Sequence, residues 1–268
     1  MNKIIVQGIL IVGSFFATWF VLKNIDWMGI FKIENATKKT EEKLGDLFWE
    51  MINKSEHEIK KVDITAPIDS LLRKICTENG IDKSTVKLHV VKSDDVNAFA
   101  LPNKHLVLYT GLVASAENEA ALSGVMGHEL AHIELNHVMK KLIKEVGLSV
   151  LISMTTGNGA GSEGIQKAAS MLSSSAYDRK LEKEADIKAV DYLVKANIDP
   201  GPFADFLYTI SDKQPDFVKH LTWISTHPDS KDRAAYIIEY SREKDVNAEP
   251  VLSPGSWDKL KDALRNYE

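Results

Sequence analysis

Hydrophobic and polar positions follow three patterns along this chain. From Ile4 to Leu22, nineteen residues carry no charge and are interrupted only by Gln7, Gly8, Gly13, Ser14 and Thr18. At about 1.5 Å per helical residue the run reaches roughly 30 Å, enough to cross a bilayer. It exceeds a signal-peptide core and has no convincing small-x-small cleavage site, so it predicts an uncleaved anchor, with Trp19 and Trp27 near its end as an interfacial belt. Helical periodicity comes next. Leu44, Leu47, Phe48, Met51 and Ile52 predict a juxtamembrane helix within Glu41 to Ile59, and Ile68, Leu71, Leu72, Ile75 and Cys76 form one buried helix stripe. Val86 to Val91 reads as a strand.

A further helix is predicted from a cap at Ser115, through Glu117 and Glu119 in its first turn, to Lys140, Lys141 and Lys144 at its C-terminal end. Leu122, Val125, Met126, Leu130 and Ile133 supply its apolar packing. Ser149 to Ser175 breaks the pattern with Gly157, Gly159, Gly161, Gly164 and a run of serines. It reads equally as a flexible surface connection or as a lid near a cleft. The chain thus divides into a flank (1–3), an anchor (4–22), a juxtamembrane linker and helix (23–63), a principal domain (64–240) and a C-terminal extension (241–268).

Composition adds exclusions. With 44% hydrophobic residues, 26% charged residues and a formal net charge of −5, the part behind the anchor suits one globular domain of about 200 residues. No basic patch points to nucleic acid. The single cysteine, Cys76, excludes an intramolecular disulfide framework.

The chemistry lies in His128-Glu129-Leu130-Ala131-His132. Residues four apart on a helix lie one above the other, so both imidazoles can meet one cation with a carboxylate beside them, the H-E-x-x-H pattern of zinc hydrolases. A catalytic zinc usually has three protein ligands, so one must come from elsewhere. Glu182 and Asp186, again four apart, offer a metal ligand and an acceptor for the free ring nitrogen of a ligand histidine; the plain alternative is a solvated, charged helix face. His137 does not fit the metzincin spacing, which needs Gly and His where this chain has Leu135 and Val138, so it is expected to be structural or at the surface.

Four ordered segments between Asp94 and Arg233 resemble one family. They are Asn97-Ala98-Phe99-Ala100-Leu101-Pro102 followed by Leu106 to Leu112, the H-E-x-x-H itself, Glu182 to Asp186 as E-x-x-x-D, and Ser225-Thr226-His227-Pro228 with Arg233. Together they resemble the HtpX-like, Oma-like and CAAX-prenyl-protease-like zinc metallopeptidases of the bacterial single-anchor type. The resemblance implies an α+β, mainly helical, zincin-like (gluzincin) domain with a small sheet, and an N-terminal transmembrane helix accompanies it. It implies one zinc per chain, held by His128, His132 and Glu182, with Asp186 orienting a ligand histidine. Glu129 is then the general base, His227 and Arg233 stabilise the oxyanion, and Asn97 helps bind an extended substrate along an edge strand. Each later residue has an ordinary reading too: His227-Pro228 as a turn, Arg233 as a surface charge, Asn97 as the start of a strand.

The expected activity is that of a membrane-anchored metalloendopeptidase acting on misfolded or misassembled envelope proteins. A chaperone-like binding module using the same cleft is the alternative. Lys3 on one side of the anchor and Lys23 and Lys32 on the other leave orientation undecided by charge. The resemblance implies a single-pass inner-membrane protein with its catalytic domain periplasmic or otherwise outside the cytoplasm. Oligomeric state is open.

Overall fold

The structure is a computed structural model that describes residues 12–14, 33–156, 161–211 and 222–267. The anchor expected over 4–22 lies outside the described residues except for a helical piece at 12–14. Among the described residues no helix is long and apolar enough to cross a membrane. The chain divides into two units, Met1–Thr40 and Glu41–Glu268, and the second contains the sheet and the domain core.

Helix α1 (Ile33–Ser55) begins before that boundary and brings Leu44 and Phe48 into the core. Its Gly45 allows a close approach, since a Cβ there would stand 2.2 Å from the Pro102 carbonyl oxygen. A four-stranded sheet comes next in the order β1-β2-β4-β3, with β1 (His57–Glu58), β2 (Lys87–Lys92), β3 (Ala98–Leu101) and β4 (His105–Tyr109). Strands β2 and β4 are parallel, with Val90 opposite Leu108, and β3 and β4 form a hairpin with Leu101 opposite His105. Asn103 and Lys104 turn the hairpin in the left-handed region, at φ of 59° and 56°. β3 ends the sheet, as an edge strand should, yet all four of its residues are buried.

Between β1 and β2 runs α2 (Val62–Glu78), whose buried face is the predicted stripe of Ile68, Leu71, Leu72, Ile75 and Cys76. After β4 and the short α3 (Thr110–Ser115) comes α4 (Glu119–Glu134), in which every residue from Ala121 to Ile133 is buried. The helix starts later than expected. Asn118, not Ser115, caps it, its side-chain oxygen accepting from the Ala121 N–H at 2.9 Å. It also ends sooner: Asn136 adopts a left-handed conformation at φ 57°, and α5 (His137–Val146) sets off as a separate helix carrying Lys140, Lys141 and Lys144.

Helices α6 (Leu148–Thr156) and α7 (Ser162–Ser174) form the segment expected to be a linker or lid, and α7 lies against β3. Helix α8 (Arg179–Lys195) packs along α4, as does α9 (Gly201–Ser211), whose Phe203 fits only because Gly124 lacks a side chain: a Cβ there would meet the Phe203 Cβ at 2.3 Å. The short α10 (Thr222–Thr226) and then α11 (Ser230–Arg242) complete this layer. Helix α12 (Ser256–Arg265) folds back on the domain, its Lys261 ammonium donating to the carbonyls of Val113, Ala114 and Ala116 at 3.0, 2.6 and 2.8 Å.

Candidate metal centre

Packing α8 along α4 sets two i, i+4 pairs face to face. α4 contributes His128 and His132, α8 contributes Glu182 and Asp186, and the turn between α10 and α11 brings in His227; all are buried. One ligand atom from each of His128, His132, Glu182 and His227 lies within 4.8 Å of the others. His128 Nε2 is 3.0 Å from His132 Nε2 and 3.1 Å from His227 Nδ1. The Glu182 carboxylate approaches His132 Nε2 at 3.3 Å, His128 Nε2 at 3.7 Å and His227 Nδ1 at 2.9 Å.

The arrangement calls for a cation. His128 Nδ1 lies 2.8 Å from Asp186 Oδ1 and 3.4 Å from Arg233 Nη2; a ring proton on Nδ1 facing the carboxylate would leave a lone pair on Nε2. Burial pushes His132 down to about 3, so this ring is neutral, and its Nδ1 faces His137 Nδ1 at 3.1 Å. The two Nε2 lone pairs then meet across 3.0 Å in a dry interior, a repulsive contact that a shared metal ion relieves. Imidazole nitrogens with one carboxylate form a donor set for a transition metal rather than for calcium or magnesium.

The surrounding charges fix these ligands. Asp186 Oδ1 also accepts from Arg233 Nη2 at 2.7 Å, while Oδ2 accepts from Arg233 Nε at 2.8 Å and from the Tyr236 hydroxyl. Burial alone would raise the Asp186 carboxyl, but Arg233 and His128 hold it well below the usual range. Glu182 is likewise held low against its burial by His227 and Arg233. Arg233 reaches Glu182 with Nη1 at 2.7 Å and also donates from it to the His227 carbonyl at 3.2 Å. The guanidinium expected to face the oxyanion is therefore engaged in bracing the two carboxylates.

Glu129 points into the same pocket. Its Oε1 accepts from the Trp223 indole N–H at 3.1 Å and lies 3.3 Å from His227 Nε2, while Oε2 has no hydrogen-bond partner among the described residues. Burial would raise its carboxyl, but His227 beside it brings it down to about 2, so Glu129 is ionised. In return, Glu182 and Glu129 hold His227 up at about 9 despite burial. Asn97 ends beside β3 with its Nδ2 3.5 Å from the Ser173 carbonyl of α7 and its Oδ1 unpartnered among the described residues.

Two neighbours, Trp223 and Tyr177, escaped the sequence reading, while His137 takes the structural one of its two expected places. His137 is neither exposed nor a ligand: buried, it backs His132 and lies 3.2 Å from Glu184, near but not aligned as a hydrogen bond. Trp223 stacks on His227 at 4.6 Å, and its backbone N–H donates to the Val96 carbonyl at 3.0 Å. Tyr177 stacks on His132 at 4.1 Å. For Trp223 and Tyr177 the only signal was nearness in sequence to quoted motifs, four residues before His227 and five before Glu182.

Residues 64–241, more than half of the chain and the whole of this cluster, match the model of peptidase family M48. The chain belongs to that family. It is similar to the mitochondrial metalloendopeptidase OMA1 of Bos taurus, 30% identical over 203 residues that cover 68% of this chain and 38% of the relative. A putative beta-barrel assembly-enhancing protease of Vibrio cholerae is 25% identical over 210 residues, 74% of this chain and 43% of that one. The beta-barrel assembly-enhancing protease of Escherichia coli K12 is 25% identical over 214 residues, covering 73% and 42%. The chain spans about two fifths of the length of these curated relatives. The family is one of metallopeptidases, and the buried His-His-Glu-His cluster suits its metal dependence.

Proposed function

We propose that this chain is a membrane-anchored, zinc-dependent endopeptidase that cleaves misfolded or misassembled envelope proteins. The observation that carries this reading is the convergence of His128, His132 and Glu182 with the ionised Glu129 beside them. The names of its relatives, a mitochondrial metalloendopeptidase and proteases that enhance beta-barrel assembly, support the substrate class. The uncharged run from Ile4 to Leu22 supports the anchor, and the bacterial relatives named for beta-barrel assembly support a place in the cell envelope.

His128, His132 and Glu182 hold the zinc, and Asp186 keeps the His128 ring in its ligating tautomer. A bound zinc supplies Lewis acidity that acidifies a water and polarises the scissile carbonyl. Glu129 takes the proton of the attacking water and delivers it to the leaving amine. β3 offers main-chain groups to an extended substrate, and the free Oδ1 of Asn97 accepts from a substrate N–H.

In the form described, that path is covered. Asn97 faces Ser173 of α7, Trp223 engages both Val96 and Glu129, and His227 Nδ1 lies among the ligand atoms. We read this as a resting state in which α7 is the lid, opening to expose β3 and to move His227 to the oxyanion. Incubating the purified chain with an unfolded model protein, with and without a chelator, tests the function. Slow zinc-dependent cleavage is expected, and cleavage indifferent to chelation counts against it.

A further inference from the structure

We propose that Tyr177 is a catalytic residue of this site, its hydroxyl donating a hydrogen bond to the oxyanion that forms when water attacks the scissile carbonyl. The proposal rests on the peptidase reading. Tyr177 lies just before α8, and its position is fixed from several sides. Its backbone N–H donates to the Thr226 carbonyl at 3.1 Å, which ties it to the residue preceding His227. Its ring stacks on His132 at 4.1 Å and 26°, and lies 5.7 Å from the His227 ring at 24°. The Lys141 ammonium sits 4.0 Å over the same ring and also donates to the carbonyl of Ser175, two residues earlier.

All this orders the ring, but nothing receives the hydroxyl. The Tyr177 Oη is buried without a hydrogen-bond partner among the described residues. A buried tyrosine normally finds one, because an orphaned O–H forfeits the hydration it had in the unfolded chain. An unsatisfied donor held rigidly against a metal-ligating histidine is explained if its partner arrives only with the substrate.

In the form described, neither of the other candidate donors is free for this post. Arg233 is engaged with Asp186, Glu182 and the His227 carbonyl. His227 sits between Glu182 and Glu129 and has to move before it faces substrate. In the reaction a bond forms between the water oxygen and the carbonyl carbon, the carbonyl π pair moves onto its oxygen, and the water proton passes to Glu129. Tyr177 steadies that oxygen without giving up its own proton. The pair then returns, the C–N bond breaks and Glu129 protonates the amine.

Tyr177→Phe in the full, zinc-loaded chain is the test, since it keeps the stacked ring and removes only the hydroxyl. Zinc content should stay at one per chain, and the melting temperature should hold or rise, because no partner is orphaned. kcat on an unfolded protein should fall about a hundredfold with KM little moved, and affinity for a phosphinic peptide, whose tetrahedral anionic oxygens imitate the oxyanion, should fall by a similar factor. Unchanged kcat and phosphinic affinity would overturn the proposal, as would a loss of melting temperature and zinc that accounts for the lost rate. Absence of cleavage by the parent would count against the peptidase reading alone, with the phosphinic-peptide arm still deciding the role of Tyr177.

Discussion

Asp186 Oδ1 lies 2.8 Å from His128 Nδ1, and the same carboxylate is gripped by Arg233 through Nε and Nη2. This contact sets the tautomer of the first histidine of the H-E-x-x-H and makes its Nε2 a better ligand. Asp186→Ala should therefore weaken zinc binding by about tenfold to a hundredfold, read by competition with a chelator. Affinity equal to that of the parent would mean that the ring is oriented by α4 alone.

Glu182 and Glu184 separate ligand from bystander. Glu182 is buried among the ligand nitrogens, whereas Glu184 remains 42% exposed at its side chain and meets His137 and Lys180. Metal analysis of Glu182→Ala should show clear loss of zinc, and Glu184→Ala should keep one zinc per chain. The reverse order would move the third ligand.

The lid reading predicts opposite effects at two sites. Leu172 anchors α7 with a buried side chain, so Leu172→Asp should release the helix from β3 and raise cleavage of an unfolded substrate severalfold while zinc is retained. His227→Ala should lower turnover by removing a group that faces the oxyanion. Steady-state rates unchanged in both variants would mean that neither segment controls the site.

A second histidine pair contributes to the loss of stability in acid. His89 Nε2 is 2.9 Å from His105 Nδ1, and the pair runs from Glu58 to Asp46 beneath Trp49. Burial first, then Lys87, pushes His105 from 6.5 down to about 4. Because the folded value lies below the unfolded one, the unfolded chain binds this proton first as pH falls. Stability should drop between about pH 6.5 and 4, by roughly 2 to 3 kcal/mol for this buried group. Urea unfolding at several pH values should show a flatter profile for His105→Gln, and parallel profiles would contradict the assignment.

Helical spacing made much of the site legible in the sequence. His128, His132, Glu182 and Asp186 obey helical periodicity, so both pairs could be named before their helices were seen to face each other. The edge strand from Asn97 to Leu101 came from the hairpin motif. The end of α4 was missed because Leu135-Asn136 carries no glycine or proline, and the lysines of α5 imitate the basic end of a longer helix. Trp223 and Tyr177 reach the site through tertiary packing of α10 and the approach to α8. Arg233 follows His227 by six residues in the sequence, but its bracing contacts to Asp186 and Glu182 depend on where α11 docks against α8.

Glu129, beside a zinc held by His128, His132 and Glu182, is assigned the proton transfers of peptide hydrolysis. Glu129→Gln keeps the shape of the side chain and removes the base, so zinc content and melting temperature of the parent and variant should agree within error. Cleavage of an unfolded protein should fall by about a thousandfold or more. That rate ratio, measured on zinc-loaded protein of equal metal content, is the most direct test. Loss of cleavage with metal and fold intact is the predicted result, and a variant that cleaves as fast as its parent would contradict the account.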